Sequence, residues 1–415
     1  MTHHILVFLT LLAGFLVVYH HLGYPLLLKW FAGRQAPTPP VPQPRRAWQA
    51  AAADAERPMV AIVIPAYNEE DHVADKLRNL AMLDYPSERL RVILACDGCS
   101  DATAERAWRV AREPECQDLS LQILEFHQNR GKVALLNHVI PNIDCDLLAF
   151  SDVSALISVD ALLVAAGCFQ DPQVGVLTGS YRLFGAYRPH QGAGCGESLY
   201  WEYQGEIKQR EGALGSTMGV HGAFYMIRRE LFEPLELDVI NDDFMLPMRI
   251  VARGYRALYE PRILALELES ATLELDRSRR RRIAAGNLQQ LVRLGALLRP
   301  SLGKVAFVFA SGKALRALMP FVLLLLLCGS AALAAGSWAF LALFLSQVVV
   351  YLAAFVVQRL GPARAPWPLQ VAHYLVQGHL VGLVGSLRYL LGLERGRWRR
   401  AKSAPGGPAP ATPGS

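Results

Sequence analysis

The stretch Met59-Val-Ala-Ile-Val-Ile-Pro-Ala-Tyr-Asn-Glu-Glu70 decides the fold, because a short apolar run ends abruptly in polar residues. An apolar run of this length, stopped by Pro65, predicts a strand that is buried on both faces. A helix is predicted to follow it over residues 71–83. A buried strand that leads through a polar loop into a helix is the repeating unit of a parallel α/β sheet.

The same order of strand, polar loop and helix recurs along residues 90–154. The later strands and their loops are Leu90-Arg-Val-Ile-Leu-Ala95 with Asp97-Gly-Cys-Ser-Asp101, Leu121-Gln-Ile-Leu-Glu-Phe126 with Asn129-Arg-Gly-Lys132, and Leu147-Leu-Ala-Phe150 with Ser151-Asp-Val-Ser154. This repetition predicts a mainly parallel sheet. We expect one α/β domain over residues 58–300, a length that is ample for a full core.

Acidic and basic side chains stand where the predicted strands end, at Glu69, Asp97, Lys132 and Asp152. Ligands bind at the carboxyl ends of strands in open α/β sheets, so these side chains are expected to share one site. Carboxylates suit a ribose, a base edge or a divalent metal, and a lysine suits a phosphate. Taken alone, Lys132 is better explained as a solvated lysine at a helix start, but its place among the other strand-end residues reverses that preference. No P-loop and no Gly-x-Gly-x-x-Gly loop is present, which argues against an ATPase and a dinucleotide dehydrogenase.

Two adjacent carboxylates, Asp242 and Asp243, stand between Asn241 and an apolar stretch that begins at Phe244. Ionised Asp is seldom buried unless it is paired, hydrogen-bonded or metal-bound. One interpretation is a helix N-cap formed by Asn241 or Asp242, a role that stabilises a helix by about 1 kcal/mol. The other interpretation is a catalytic base.

Six motifs in this order closely resemble the inverting glycosyltransferases of family 2. They are Val63-Ile-Pro-Ala-Tyr-Asn-Glu69, Asp97-Gly-Cys-Ser-Asp101, Asn129-Arg-Gly-Lys-Val-Ala-Leu-Leu-Asn137, Phe150-Ser-Asp152, Gly222-Ala-Phe-Tyr-Met-Ile-Arg-Arg229 and Asp242-Asp-Phe244. The resemblance implies a GT-A, Rossmann-like domain that binds a nucleotide sugar. The flanking apolar segments are similar to those of the membrane-bound branch with poly-N-acetylglucosamine and cellulose-type synthases.

The resemblance also implies a role for individual residues. It assigns Pro65, Tyr67, Glu69, Asp97, Lys132, Arg279 and Arg282 to the nucleotide diphosphate, Asp152 to Mg²⁺ or Mn²⁺, and Asp243 to the general base. Within this set, Asp97 contacts the base or ribose and Asp152 holds the metal that bridges the diphosphate. An inverting transfer needs such a carboxylate to remove the acceptor proton and a cation to neutralise the departing diphosphate.

Two positions depart from the family pattern. Ser154 stands where the family commonly has a second Asp or an Asn, which predicts a weaker metal site. In the best alignment with the Gln-x-x-Arg-Trp motif of processive synthases, Arg279 takes the Gln, Arg282 the Arg and Ile283 the Trp. Loss of the Trp removes a surface on which an acceptor sugar stacks. At helical spacing Arg279 and Arg282 share a face, so Arg280 and Arg281 are expected to turn toward lipid or solvent.

The segment 197–211 predicts a helix that places aromatic residues near carboxylates. Aromatic rings stack on sugar rings, so Tyr200, Trp201 and Tyr203 are candidates for the acceptor side, together with Asp242 as the neighbour of the base. Packing of these rings into the core is an equal alternative for each of them. His221 is either a contact to the donor sugar or a packed polar residue.

The chain is 52% hydrophobic, which predicts membrane segments around the domain. We expect a spanning helix at 1–30, a Pro/Ala-rich linker at 31–57, an interfacial helix at 301–317, a spanning hairpin at 318–358, an interfacial or re-entrant helix pair at 367–393, and a disordered tail at 403–415. The distribution of Lys and Arg places the domain on the cytoplasmic side of the plasma membrane, in a multi-pass protein.

The leading hypothesis is therefore a membrane glycosyltransferase that moves a sugar, on a UDP donor, to a glycan or lipid-linked acceptor in exopolysaccharide or cell-envelope synthesis. Transfer of a single sugar to a lipid is the first alternative, and a catalytically silent scaffold with the same fold is the second. So few spans offer little material for a polysaccharide channel, which suggests further membrane subunits. A nucleic-acid partner is not expected, because the net charge is only +6 and the basic clusters border the membrane segments.

Overall fold

The computed structural model describes residues 1–35, 46–183, 194–268, 273–361 and 365–394, with the backbone alone for 194–202 and 273–278. The predicted tail at 403–415 and part of the predicted linker lie outside the described residues. The strands are β1 Val60–Ala66, β2 Leu90–Asp97, β3 Leu121–Phe126, β4 Leu147–Ser151, β5 Ala155–Ile157, β6 Val174–Leu183, β7 Phe224–Arg228 and β8 Arg256–Glu267.

A helix follows each of the first three strands, and long apolar helices lie toward both ends of the chain. The helices are α1 Thr2–Val18, α2 Tyr24–Ala32, α3 Val73–Ala81, α4 Thr103–Val110, α5 Lys132–Val139, α6 Ala161–Cys168, α7 Gly194–Ala213, α8 Asp242–Ala252, α9 Leu273–Arg293, α10 Lys304–Val308, α11 Leu315–Leu333, α12 Trp338–Leu360 and α13 Trp367–Leu390. The predicted helix at 71–83 is observed as α3, which is shorter at both ends.

The strands form one sheet in the order β3-β2-β1-β4-β7-β6-β8-β5. β1 to β4 are parallel, as the repeated motif predicts. The other half of the sheet is mixed, since β7 runs antiparallel to β4 and β6 while β6 and β8 are parallel. The prediction of a mainly parallel sheet therefore holds for the first half and misses the antiparallel strands of the second.

Each face of the sheet carries its own apolar core. Along β1, Val60, Ile62 and Ile64 face one core, whereas Ala61 and Val63 face the other, as the period of two in a strand requires. The second core also contains Tyr24, Leu28 and Phe309 from the long apolar helices at the two ends of the chain. These helices are thus packed directly onto the domain.

Within the part of the chain that the structure describes, three helices are long and apolar enough to cross a membrane: Thr2–Ala32, Lys304–Leu333 and Trp338–Leu360. The first contains a π-helical turn at Tyr19–Gly23 and the second contains one at Phe309–Ala314. The second helix begins at Lys304 without a break near residue 317. The segment predicted as a separate interfacial helix is therefore the start of this long helix.

Residues 367–390 form the single helix α13, where the sequence led us to expect a helix pair. Its Gly385 lies so close to α9 that an added Cβ would be 2.6 Å from the carbonyl oxygen of Arg281. α13 therefore packs along α9, the helix that carries the arginine run. An interfacial or re-entrant position of α13 in a membrane stays a prediction.

Candidate active site

The loops that follow β1, β2 and β3 are tied to one another at the carboxyl edge of the sheet. Asn68 adopts φ +56°, and its side-chain oxygen accepts a hydrogen bond from the backbone N–H of Ser100 at 2.8 Å. Gly98 has φ +68° and lies so near the next loop that a Cβ would be 2.4 Å from the backbone nitrogen of Asn129. A residue with a side chain does not fit at this position.

The first motif places Pro65 within β1 and Tyr67 and Glu69 in the loop after it. The backbone N–H of Glu69 donates to the hydroxyl of Thr103 at 2.7 Å, which joins this loop to α4. Pro65 is buried, while Tyr67 is partly exposed at the edge of the sheet. The structure thus places all three residues at the edge where the sequence predicts the nucleotide.

Asp97, at the end of β2, has no exposed surface. Its carboxylate accepts hydrogen bonds from the backbone N–H groups of Arg130, at 3.1 Å to each oxygen, and of Gly131, at 2.8 Å. In this conformation Asp97 fixes the loop that leads into α5. A contact between Asp97 and a nucleotide requires that loop to move.

Lys132 begins α5 and lies between two carboxylates of the site. Its Nζ is 3.3 Å from Oδ1 of Asp152, which follows β4, and 3.3 Å from Oδ2 of Asp242, at the start of α8. Burial favours the neutral amine, yet Asp152, Asp242 and Asp243 together hold the pKa of Lys132 above its usual value. Lys132 is therefore a charged group at the centre of an acidic cluster.

The start of α8 bears on the interpretation of the acidic pair as a helix cap, while the role of base stays a prediction. Asn241 is the N-cap residue, but its side chain makes no capping hydrogen bond. Its Nδ2 donates instead to the carbonyl oxygen of Ile283 on α9, at 3.3 Å. The backbone N–H of Ile240 donates to Oε1 of Gln289 at 2.9 Å, so α9 holds the entry of α8 at a second point. The two carboxylates lie in the first turn of α8, where the helix dipole favours negative charge.

Asp243 is partly exposed and borders both the acidic cluster and the loop before β7. Burial, then the neighbouring carboxylates of Asp242 and Asp152, raise the pKa of Asp243 to about 6 against the opposing effects of Lys132 and Arg282. A carboxylate with such a pKa is ionised near neutral pH and accepts a proton readily. A Cβ on Gly222 would be only 2.8 Å from Oδ2 of Asp243, so the glycine leaves the carboxylate its space.

A basic group of side chains, missed in the sequence, lies on the other side of Asp243. Lys208 of α7 is buried and donates to the carbonyl oxygen of Gly219 at 2.5 Å. Burial and the nearby Lys313 lower the pKa of Lys208 to about 7. The ammonium of Lys313 lies 5.5 Å from the ring centroid of Phe244. Lys313 belongs to a long apolar helix, so that helix reaches the first turn of α8.

His221 is a packed residue in this structure. Its ring stacks on that of Tyr181 at 5.4 Å between centroids, and its backbone N–H donates to the hydroxyl of Thr178 at 3.2 Å. Burial and the nearby Lys208 and Lys313 lower the pKa of His221 well below its usual value. A neutral imidazole follows at neutral pH.

The arginine run lies on α9, beside α8. Arg282 is partly exposed and close enough to favour the charged form of Asp243, while Arg279 is exposed. Arg280 lies 5.7 Å from the ring centroid of Tyr374, and Nε of Arg281 is 3.9 Å from a carboxylate oxygen of Glu394. Both side chains are exposed, at 44% for Arg281, which agrees with the expectation that they turn toward lipid or solvent, although Tyr374 of α13 and Glu394 lie near them.

The aromatic candidates for the acceptor side lie on α7. Tyr203 is 44% exposed, which leaves much of its ring accessible. The side chains of Tyr200 and Trp201 lie outside the described residues, so their proposed role stays a prediction.

The donors at the site are carboxylate oxygens, which are the ligands that Mg²⁺ and Mn²⁺ prefer. Asp152 keeps 37% of its side chain exposed at the open edge of the sheet. Among the described residues, no three or more His, Cys, Asp or Glu side chains are grouped to hold a metal. This set fits a cation bound by one or two carboxylates and completed by substrate phosphates, which is the usual arrangement for Mg²⁺.

Residues 58–286, which are more than half of the chain, match the family described as "Glycosyltransferase like family 2". Over 241 residues the chain is 27% identical to the poly-β-1,6-N-acetyl-D-glucosamine synthase of Staphylococcus aureus (strain MSSA476), covering 56% of each chain. It is 25% identical to the synthase of the same name from Staphylococcus epidermidis over the same length, again covering 56% of each chain. The chain spans about half the length of these curated relatives.

Among solved structures, the mannosyltransferase PcManGT of Pyrobaculum calidifontis, in complex with GDP-Man and Mn²⁺, superposes with a TM-score of 0.67 at 24% identity. The superposition covers 93% of this chain and 100% of that one. This likeness concerns the fold. Together with the family match, it confirms the GT-A architecture that the motifs predict.

Proposed function

This chain belongs to glycosyltransferase family 2, and we propose that it transfers a sugar from a UDP-linked donor to a glycan or lipid-linked acceptor at the cytoplasmic face of the plasma membrane. The observation that carries the proposal is the position of Lys132, 3.3 Å from both Asp152 and Asp242, with Asp243 beside them. The sugar is a hexose or an N-acetylhexosamine. The relatives named poly-β-1,6-N-acetyl-D-glucosamine synthase support the latter and a role in exopolysaccharide or envelope synthesis.

In the proposed reaction, Asp243 takes the proton of an acceptor hydroxyl as that oxygen attacks the anomeric carbon of the donor sugar. The bond between the anomeric carbon and the diphosphate oxygen breaks, and the diphosphate leaves with the electron pair. Attack from the opposite side inverts the anomeric centre. Lys132 and Arg282 supply positive charge near the diphosphate as negative charge develops on it.

Asp152 is the residue that would hold a divalent cation. When bound, Mg²⁺ or Mn²⁺ would neutralise negative charge on the departing diphosphate. The presence of Mn²⁺ in the structure of the mannosyltransferase PcManGT agrees with this choice of metal.

The three long apolar helices support a place in the membrane. Lys304, Lys313 and Arg316 near the start of the second helix support a cytoplasmic position of the catalytic domain by the positive-inside rule. We also propose further membrane subunits, since the three apolar helices among the described residues leave little material for a polysaccharide channel.

Release of nucleotide diphosphate from purified full-length protein tests the proposal. The protein is incubated with Mn²⁺, an acceptor extract and UDP-GlcNAc, UDP-glucose or GDP-mannose in turn. Asp243→Asn is expected to lower kcat by about 10²- to 10⁴-fold, the usual contribution of a general base. Asp75→Asn, an exposed carboxylate on α3, is the matched control and should behave as wild type. Equal release by wild type and Asp243→Asn contradicts the assigned base, and no release with any donor contradicts the proposed reaction.

Transfer of a single sugar is the second candidate, and Ile283 favours it. Ile283 takes the position of the Trp in processive synthases and is 38% exposed on α9, so that position offers no aromatic ring to an acceptor. Product length on a short GlcNAc oligomer separates the two candidates. A ladder of long products excludes single addition, whereas one added sugar excludes processive synthesis on that primer.

A further inference from the structure

Lys76 on α3 has no exposed surface and is among the largest fully buried side chains of the protein. Lysine is almost never fully buried unless its amino group has partners. Desolvation of that group is costly, so its hydrogen bonds must offset the cost. Nothing in the spacing of the sequence singles this lysine out.

The amino group of Lys76 reaches both ends of the turn that carries Asp152. Its Nζ donates to the hydroxyl of Ser151 at 2.6 Å, at the end of β4, and to the carbonyl oxygen of Ala155, where β5 begins. The three residues between them include Asp152 and Ser154. One buried amino group therefore joins the two ends of this turn by hydrogen bonds.

The hydrogen bonds continue from the turn to the loop beside the proposed base. The hydroxyl of Ser151 donates to the carbonyl oxygen of Ala223 at 2.9 Å, and that oxygen also accepts the backbone N–H of Asp152 at 3.3 Å. Ala223 follows Gly222, which lies against the carboxylate of Asp243. Lys76 thus begins a chain of contacts that relates Asp152 to Asp243.

α3 holds β5 at a second point through Asn79. Its Nδ2 donates to the carbonyl oxygen of Ile157 at 3.0 Å, and its Oδ1 accepts the backbone N–H of the same residue at 2.9 Å. The strand after the turn is therefore fixed independently of Lys76. Loss of the Lys76 amino group is expected to loosen the turn while β5 stays attached.

The turn carries a single carboxylate, that of Asp152, and Ser154 two residues further on is buried. Groups behind a metal ligand orient it, and their loss typically weakens metal affinity 10- to 100-fold. Accepting the proposed function, we infer that Lys76 is a positioning residue that orients the Asp152 turn toward a divalent cation and the donor diphosphate. It acts through Ser151 and Ala155 and touches no substrate.

Mn²⁺ binding by the full-length protein in the presence of UDP tests this inference without turnover. Free Mn²⁺ is measured by electron paramagnetic resonance for wild type and Lys76→Met, which keeps the volume of the side chain and removes its N–H donors. The Mn²⁺ affinity of Lys76→Met is expected to fall about 10- to 100-fold. In transfer assays the KM for Mn²⁺ should rise equally, while kcat at saturating Mn²⁺ should change less than about threefold.

Lys208→Met is the matched control, because Lys208 is also buried but donates to Gly219, away from the turn. It should lower the melting temperature as Lys76→Met does and leave Mn²⁺ affinity unchanged. Ser151→Ala keeps Lys76 and removes one of its acceptors, so it is expected to weaken Mn²⁺ about threefold or more even if Lys76→Met does not fold. A Mn²⁺ affinity of Lys76→Met equal to that of wild type overturns the inference. If Lys76→Met does not fold, a wild-type Mn²⁺ affinity of Ser151→Ala overturns it. Failure of wild type to bind Mn²⁺ with UDP overturns the proposed metal use instead.

Discussion

The two halves of the sheet bring their functional residues together in different ways. In the half formed by β1 to β4, each strand is followed by a polar loop, and three of these four loops lead into a helix. Because the strands are parallel neighbours, their order in the chain is enough to place Lys132 and Asp152 at the same edge. In the half formed by β5 to β8, pairing over long sequence distances, such as Phe150 with Tyr225, positions the loop before β7 and α8. The proposed donor side is thus local in the sequence, and the proposed base and acceptor side is not.

Substitution of Lys132 should damage the donor side most. Lys132→Met leaves Asp152 and Asp242 without the cation that lies 3.3 Å from each. The proposed contact of Lys132 with the donor diphosphate is lost as well. Truncation of one partner of a buried charge pair across a binding interface costs about 2–5 kcal/mol, so UDP affinity and kcat/KM are expected to fall about 100-fold. Isothermal titration with UDP and Mn²⁺ measures the affinity. Lys304→Met, an exposed lysine, is the control, and an unchanged UDP affinity in Lys132→Met would contradict the role of Lys132.

Substitution of Gly222 should damage the base and spare the donor. The new Cβ in Gly222→Ala would be 2.8 Å from Oδ2 of Asp243, so the carboxylate must rotate away. A small misplacement of a catalytic group is expensive, and we expect kcat to fall about 10-fold or more with UDP affinity unchanged. Steady-state kinetics give both values.

Gly212→Ala is the control for that experiment, because nothing lies within 4 Å of a Cβ added there on α7. Alanine is also favoured over glycine within a helix. Its kcat should equal that of wild type. A parallel loss of kcat and UDP affinity in Gly222→Ala would show that the two halves of the site are not separable.

The contrast between local features and contacts over long sequence distances also explains which parts of the structure the sequence predicts. β1 to β4 and the acidic residues at their ends follow from apolar runs and turn residues, because every feature lies within a few positions of the next. Lys76 and Lys208 were not singled out, since their importance comes from burial by distant segments. Arg280 and Arg281 are exposed as helical spacing predicts, but their contacts with Tyr374 and Glu394 join distant segments and do not follow from that spacing.

The capping question is an intermediate case. The pair Asp242 and Asp243 marks the start of a helix correctly, but sequence alone cannot separate a cap from a base. The role of base stays a prediction, whereas a side-chain cap by Asn241 is excluded by the contact of its Nδ2 with the carbonyl oxygen of Ile283 on α9. This contact joins residues far apart in the chain, and it leaves the acidic pair at the open edge of the sheet.

The raised pKa of Asp243, about 6 against an ordinary 3.8, makes stability depend on pH. The folded state binds the proton more tightly than the unfolded chain, so unfolding free energy falls as pH rises from about 4 to 6 and stays lower above that range. At pH 7.5 the ionised group costs up to about 3 kcal/mol.

Asp243→Asn should therefore raise the melting temperature at pH 7.5, with a gain that disappears near pH 4. Activity of wild type should show the opposite trend and rise with pH through about 6, as the carboxylate becomes able to accept a proton. Scanning fluorimetry over pH measures the first effect and initial rates measure the second. A melting temperature that is lower in Asp243→Asn at every pH would contradict the raised pKa.

The smallest effect is expected where the long N-terminal helix meets the domain. The hydroxyl of Tyr24 donates to Oε1 of the buried Glu211 at 3.1 Å, and Oε2 of the same carboxylate accepts the backbone N–H of Met218 at 2.8 Å. Tyr24→Phe removes one of these bonds, so the unfolding free energy should fall by about 1–2 kcal/mol, while kcat and UDP affinity stay within about twofold of wild type.

A double-variant cycle with Glu211→Gln isolates the contact between Tyr24 and Glu211. The loss of unfolding free energy in the double variant should be smaller than the sum of the single losses by about 1 kcal/mol, since either change alone breaks the same bond. Additive losses would mean that the hydroxyl of Tyr24 stabilises the protein through other neighbours, such as Gly312, where a Cβ would lie 2.8 Å from it. In either outcome, a loss confined to stability with donor binding intact shows that the contact between the N-terminal helix and the domain is independent of the region that is proposed to hold the nucleotide.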